Sequence, residues 1–401
     1  MTSIISLITL SMMILIIYHH AIYPALLRRL AQHKKDKRSD IATAIKTDFK
    51  RCYEVNSDDE YLPEITLILP AFNEEETIAA KMANLACLDY PAEKLFIVIG
   101  CDGCTDNTLP ILLHCLEQPE LKHLNVKVNN FEQNRGKIAV INELINQSTS
   151  PIVGLSDISA LLSIDALSQA AIQFTDPTIG VLTSQYQLTP GCSTGEKSYW
   201  QYQSSIKYCE AALGATMGVH GALYFFRRTL FTPLASDTIN DDFMIPMQIV
   251  QQGYQAAYNT EINALELEVA DTSLDHLRRR RIAAGNLQQL WRLKAMLIDR
   301  KQIAVAFNFL SGKALRCLMP FLFILTFIAS AWLSINSPLF MGLFILQIIG
   351  YVMCIFSCLY ADKIHSELFK TLAYIASGYT ANLIGSVRYL LKLDKGHWTK
   401  S

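Results

Sequence analysis

From Met1 to Leu27 the chain contains no Lys, Arg, Asp or Glu. A helix needs about 20 apolar residues to cross the hydrocarbon of a bilayer, so this run constrains the fold more than any other feature. A cleaved secretory leader would show a basic start and a small-residue cleavage site, and neither is visible. The alternative is a buried core helix. Basic residues follow the run at Arg28, Arg29, Lys34, Lys35, Lys37 and Arg38. The positive-inside rule therefore places the N-terminus outside, residues 1–27 across the membrane, and a linker over 28–60 in the cytoplasm.

Two equally apolar runs lie near the other end, ALRCLMPFLFILTFIASAWLSI from Ala314 and PLFMGLFILQIIGYVMCIFSCLY from Pro338. A third, LAYIASGYTANLIGSVRYLL from Leu372, carries Ser, Thr, Asn and Arg388, and basic residues follow at Lys392, Lys395 and Lys400. It reads either as a crossing or as an interfacial or re-entrant segment, with a C-terminal tail from 392 in the cytoplasm. The expectation is a multi-pass protein of the plasma (inner) membrane. With 35 basic and 36 acidic residues there is no global field to attract nucleic acid. Ten scattered cysteines in a mostly cytoplasmic chain imply reduced thiols, and Cys317, Cys354 and Cys358 lie inside apolar segments.

Between the hydrophobic ends, short apolar runs alternate with helical patterns. ITLILP (65–70), LFIVIG (95–100), LNVKVN (124–129) and PIVGLS (151–156) read as buried strands. EEETIAAKMANLAC, CTDNTLPILLHCL and RGKIAVINELINQ, between them, have helical spacing. The order βαβαβαβ implies an α/β domain over 61–272 with a mainly parallel sheet covered on both faces. Ligands of such sheets bind beyond the carboxyl ends of the strands. There the sequence gathers PAFNEEE after the first strand, CDGCTDN after the second and SDIS after the fourth. One carboxylate at such a point can be a helix cap, the bland reading of Asp106 or Asp157 alone; several on one rim suit a metal-bound phosphate or another polar ligand.

Cys101-x-x-Cys104 invites a zinc or redox reading, but no second ligand pair follows for zinc, and Asp-Gly separates the thiols. The stronger signal is Asp102-Gly103 with Asp106, in which Gly103 permits a tight turn and Asp102 can accept hydrogen bonds from a base or ribose. GVHGALYFFRR (218–228) reads as a strand whose small residues let a ligand approach the backbone. In INDDFMIPMQIVQQGY, Asp241 and Asp242 open a helix, where one carboxylate serves either as a cap or as a general base. Arg278 to Arg281 precede an amphipathic pattern. These arginines fit an interfacial helix on an anionic surface, over 273–313, or a clamp on a diphosphate.

In this order, PAFNEEETI, DGCTDNT, RGK, SDIS, GALYFFRR, NDDF and LRRRRIAAGN resemble the membrane-embedded family 2 glycosyltransferases, among them synthases of cellulose, hyaluronan, chitin oligosaccharides and poly-N-acetylglucosamine. The resemblance covers about residues 60 to 315. It implies a GT-A fold, Rossmann-like, on the cytoplasmic face, with flanking transmembrane and interfacial helices. It further implies inverting transfer from a UDP-sugar to a growing polysaccharide or lipid-linked acceptor, with Mg2+ or Mn2+ as cofactor. Ala71, Phe72 and Glu74 would line the nucleoside pocket, with Asp102 and Gly103 at the uracil and Lys137 near the nucleotide. Asp157 would be the first carboxylate of the D-x-D metal motif, Asp242 the base and Asp241 the acidic residue before it. Arg278 and Arg281 would reach the diphosphate.

Two departures bear on function. Ser159 replaces the second Asp of D-x-D, leaving the cation one strong protein ligand. The Q-x-x-R-W pattern of processive synthases reads Arg278-x-x-Arg281-Ile282, without Gln or Trp. Alternatives are therefore addition of a single sugar to a lipid-linked acceptor, or an inactive scaffold of a polysaccharide-export complex. Membrane lipid, export-complex subunits or a second copy of the chain are the expected partners.

Overall fold

A computed structural model of the chain describes residues 2–42, 57–189, 194–268, 272–360 and 366–393. Two compact units are present. The described parts of an α/β unit are 33–42, 57–189 and 207–268, and those of a helical unit are 2–32, 194–206, 272–360 and 366–393. Within the 61–272 span, residues 194–206 group with the helices.

Helix α1 (Thr2–Ile17) continues through a π-helical turn into α2 (Tyr23–Ala42). The α/β portion then runs β1 (Ile65–Ala71), α3 (Ile78–Ala86), β2 (Leu95–Asp102), α4 (Thr108–Leu116), β3 (Asn125–Phe131), α5 (Lys137–Gln147) and β4 (Ile152–Leu155). It continues with β5 (Ala160–Leu162), α6 (Ala166–Gln173), β6 (Ile179–Leu188), α7 (Thr194–Ala212), β7 (Tyr224–Arg227), α8 (Asp241–Gln251) and β8 (Gln255–Glu266). The remaining helices are α9 (Thr272–Arg292), α10 (Ile303–Asn308), α11 (Leu315–Ser334), α12 (Pro338–Leu359) and α13 (Glu367–Leu390).

The strands form one eight-stranded sheet in the order β3-β2-β1-β4-β7-β6-β8-β5. Pairing is parallel among β3, β2, β1 and β4 and between β6 and β8; β7 runs antiparallel to both neighbours, as β5 does to β8. The sequence ITLILPA of β1 is apolar on both pleat faces, and every one of its residues is buried, the pattern of a strand covered above and below. Ile65, Leu67 and Leu69 join Ile97, Ile99, Ile78, Met82 and Leu85 in the main core, each such aliphatic side chain contributing roughly 1.5–3 kcal/mol by leaving water. At Gly100 a Cβ would lie 2.7 Å from Val140 Cγ1 and 2.8 Å from Leu144 Cδ1. The missing side chain lets α5 lie directly on β2 and so fixes where its first residue, Lys137, emerges.

In the helical unit, three helices are long and apolar enough to cross a membrane: Thr2–Lys34, Ile303–Ser334 and Pro338–Leu359. The second begins at Ile303, ahead of the Ala314 start expected from hydropathy, because α10, a π-helical stretch and α11 are continuous. Helix α13 is not among the three. It packs along α9, where the Arg279 guanidinium lies 3.9 Å over the Tyr374 ring.

Candidate active site

The ends of β1 and β2 are joined by a lattice of short polar contacts. Asn73 has a left-handed backbone, with φ 56°, and its Oδ1 accepts the Thr105 N–H at 2.8 Å. The Glu74 N–H donates to Thr108 Oγ1 at 2.6 Å and the Glu75 N–H to Asp106 Oδ2 at 3.1 Å. In return Glu75 Oε2 accepts from the Asn107 N–H at 3.1 Å. These contacts join the two loops, and α3 starts at Ile78, not at Glu74 as the sequence pattern suggests. Asp106 Oδ1 also accepts the Thr108 N–H at 3.0 Å at the start of α4, so Asp106 fills the helix-starting role. Ala71 is buried at the end of β1, with Phe72 half-buried beside it, and Glu74 Oε2 accepts from the Thr77 hydroxyl at 3.0 Å.

Asp102 ends β2 with its side chain fully buried. Its two oxygens accept the N–H groups of Arg135 and Gly136, each at 2.8 Å. Gly103, at φ +64°, makes the turn, and a Cβ there would fall 2.7 Å from the Gln133 carbonyl carbon. Asp102 and Gly103 thus hold the loop that leads into Lys137. Cys101 is buried and Cys104 half-buried, both as free thiols. Their side-chain interaction lowers the Cys104 thiol below its ordinary range against the opposing effect of burial, and pushes Cys101 up, with burial adding to that rise.

A cluster of charged side chains lies beyond β4. Lys137 Nζ is 2.9 Å from Asp157 Oδ1 and 3.7 Å from Asp241 Oδ2. One ammonium therefore links carboxylates from the loop after β4 and the first turn of α8. Burial acts against the Lys137 charge, but Asp157 and Asp241, with Asp242 behind them, outweigh it and hold the group above the ordinary lysine range. The residue preceding α8 is Asn240, so neither Asp241 nor Asp242 is the cap; both occupy the first turn, where the positive end of the helix favours them. Asp157 is followed by β5 and not by a helix, which removes the cap reading for it as well. Ser159 is buried, and its carbonyl accepts the Leu267 N–H at 2.9 Å.

Tyr224 and Lys81 border this cluster and were not singled out by sequence reasoning. Tyr224 lines the same small cleft as Lys137, Asp157, Gly221 and Asp241. Its hydroxyl is buried without a hydrogen-bond partner among the described residues. Burial, then Asp241, Asp242 and Asp157, keep it protonated far above neutral pH. Lys81 lies on α3 beneath the Asp157 turn, fully buried. Both were missed because a tyrosine in a strand reads as core and a lysine in a helix reads as surface. Arg278 and Arg281 lie on α9 of the helical unit and are not part of the α/β unit that carries the other candidate residues.

Among the described residues no group of three or more His, Cys, Asp or Glu side chains converges as a metal site. Asp157, with Asp241 across Lys137, is too sparse to cage a cation alone. It does suit Mg2+ or Mn2+, which keep several waters and bind through one or two carboxylates plus phosphate oxygens. The unpartnered Tyr224 hydroxyl is a ready donor to such an oxygen or water.

A mannosyltransferase, PcManGT from Pyrobaculum calidifontis, solved in complex with GDP-Man and Mn2+, shares the fold at a TM-score of 0.70 and 21% identity, over 96% of this chain and 99% of that one. Poly-beta-1,6-N-acetyl-D-glucosamine synthase of Staphylococcus epidermidis is 26% identical over 218 residues, 52% of this chain and 51% of that protein. The synthase of Staphylococcus aureus strain COL is 26% identical over 213 residues, 51% and 50% respectively. The chain spans about half the length of the curated relatives it matches. A family model described as "Glycosyltransferase like family 2" matches residues 63–284, more than half of the chain, and takes in the β1 and β2 loops, Lys137, Asp157 and the Asp241–Asp242 pair: the chain belongs to glycosyltransferase family 2.

Proposed function

We propose that the chain is an inverting, membrane-embedded glycosyltransferase that moves a sugar from a UDP-sugar to a growing polysaccharide or lipid-linked glycan. The observation that carries this reading is the ammonium of Lys137 shared between Asp157 and Asp241, with Asp242 adjoining, at the carboxyl end of a mainly parallel sheet. The match to poly-beta-1,6-N-acetyl-D-glucosamine synthases supports a polysaccharide as the product. The catalytic unit faces the cytoplasm of a multi-pass protein in the plasma (inner) membrane, an orientation supported by the basic residues after Leu27.

Asp242 takes the proton of the acceptor hydroxyl as its oxygen attacks the anomeric carbon. The bond from that carbon to the diphosphate breaks on the opposite face, which inverts the centre. A general base of this kind contributes roughly 10²- to 10⁴-fold. Negative charge gathers on the departing diphosphate, where Lys137 and the Tyr224 hydroxyl stabilise it. Asp157 would hold the Mg2+ or Mn2+, which supplies Lewis-acid stabilisation of the same oxygens when bound. Ala71, Phe72 and Glu74 border the nucleoside, and Asp102 and Gly103 shape that pocket through the 133–136 loop.

Ile282 and Arg278, where processive relatives carry Trp and Gln, favour a second reading within the same chemistry: a single sugar added to a lipid-linked acceptor. Both are tested by UDP release from full-length protein in lipid, across UDP-sugars and GDP-mannose, with product length measured. Metal-dependent turnover of one UDP-sugar, reduced at least 100-fold in Asp242→Asn, is expected. Turnover of GDP-mannose alone would overturn the UDP assignment, and silence with every donor and acceptor membrane would favour an inactive scaffold.

A further inference from the structure

A lysine with no exposed surface is costly unless it is hydrogen-bonded, and Lys81 finds its partners away from its own helix. Nζ donates to Ser156 Oγ at 2.8 Å and to the Ala160 carbonyl. These acceptors bracket Asp157. Ser156 passes its own hydrogen to the Ala222 carbonyl at 2.6 Å. The preceding residue, Gly221, borders the carboxylate so closely that a Cβ there would lie 2.9 Å from Asp157 Oδ2. A single side chain therefore ties α3, both ends of the 156–160 turn and the approach to β7 around one carboxylate.

One helical turn farther along α3, Asn84 grips the next segment independently. Its Nδ2 donates to the Leu162 carbonyl at 2.9 Å, and its Oδ1 accepts the Leu162 N–H at 2.8 Å. Strand β5 thus has its own anchor. The contacts of Lys81 are aimed at the turn that carries Asp157 and not at the strand beyond it.

We propose that Lys81 is a positioning residue for the donor site, fixing the Asp157 carboxylate in the orientation from which it meets the diphosphate and its cation, while touching neither. The inference rests on the reading of Asp157 given above and deepens it. An amine and an ammonium both carry the two donor hydrogens the clamp requires, so the geometry does not depend on the charge of Lys81. Side chains that orient a metal ligand in this way are worth 10- to 100-fold in metal affinity in other proteins.

The test uses full-length protein in lipid, with Mn2+ binding followed by electron paramagnetic resonance in the presence of UDP or GDP, and thermal unfolding measured on the same samples. Lys81→Met is expected to weaken nucleotide-dependent Mn2+ binding by roughly 10- to 100-fold per folded molecule. Ser156→Ala moves in the same direction by less. Asn84→Ala lowers the unfolding temperature and leaves Mn2+ binding unchanged. A folded Lys81→Met protein that binds Mn2+ as the wild type does overturns the proposal, as does an Asn84→Ala protein that loses as much affinity as Lys81→Met. If Lys81→Met does not fold, unchanged binding in Ser156→Ala overturns it. Wild-type protein that binds neither nucleotide with Mn2+ removes the donor reading and this inference together; wild-type binding with no effect in the variants removes the inference alone.

Discussion

Replacing Asp102 with Asn separates two roles for a carboxylate at the end of β2. Each oxygen now accepts a backbone N–H, from Arg135 and from Gly136, at 2.8 Å and fully buried. An amide keeps one acceptor and turns a donor toward the other N–H. The lost charge-assisted bond is worth roughly 1.5–3 kcal/mol, and the retained one, now neutral, weakens by about 1 kcal/mol. The Gly136 N–H still reaches Asn134 Oδ1 at 3.1 Å, which spares the full penalty of a buried unsatisfied donor. The net loss is about 3 kcal/mol. For a unit of this size each kcal/mol moves the midpoint by ~2–4 °C, so the ligand-free variant should unfold about 6–12 °C below the wild type. The assay is thermal unfolding in lipid without nucleotide, with UDP titrated afterwards. An Asp102→Asn protein that unfolds at the wild-type temperature but binds UDP weakly would refute the loop-clamp reasoning and return the carboxylate to direct contact with the base.

Other perturbations test neighbouring parts of the site. Tyr224→Phe removes a buried hydroxyl that lacks a partner among the described residues, so the ligand-free protein should gain stability, by about 1 kcal/mol, while UDP binding weakens; weakened stability would contradict this. Gly103→Ala places a side chain at φ +64° against the 133–134 backbone and should cost at least about 2 kcal/mol, read as a fall in unfolding temperature. Alkylation at neutral pH should be faster at Cys104 than at Cys101, because their interaction favours the thiolate on Cys104 and disfavours it on Cys101, and Cys101→Ala should slow the reaction of Cys104. Lys81 is brought down to about 7 from 10.5, by burial first, with Asp157 and Glu266 partly opposing. Between those values the unfolded chain holds a proton that the folded chain lacks. Stability should therefore rise with pH across that window, by at most about 1.4 kcal/mol per unit, and Lys81→Met should lack that slope.

The strands β1 and β2 were legible because their apolar runs are short, dense and bounded by turn residues, and their ends fall close to the expected positions; β3 forms at the expected place, but as the edge strand it has no buried residue, where a buried strand was expected. The later sheet was harder. GVHGALYFFRR forms a strand only over Tyr224–Arg227, and neither β6 nor β8 was foreseen; in β8, Gln255–Glu266, buried and exposed residues mix without a clean period. Motif order singled out Lys137, Asp157 and the Asp241–Asp242 pair, and the structure brings Lys137 close to Asp157 and Asp241. Which atoms meet was not legible: the clamp of Asp102 on two amides and the reach of Lys81 beneath Asp157 depend on loop paths that no spacing rule encodes.

Strand β7 pairs with β4 on one side and β6 on the other, yet it is synthesised after both. When β4 emerges from the ribosome its free edge has no partner until Tyr224 appears, about 70 residues after Leu155. At 5–20 residues per second this amounts to roughly 4–14 seconds with an unpaired edge in the nascent chain. An open edge of that kind is where β-structure joins the wrong partner. During that interval 194–206, which belongs to the helical unit, is also made. The insertion of β7 as a late wedge therefore makes translation rate across 156–224 a determinant of yield, and slowing it should increase aggregation of the newly made protein even though the finished fold is unchanged.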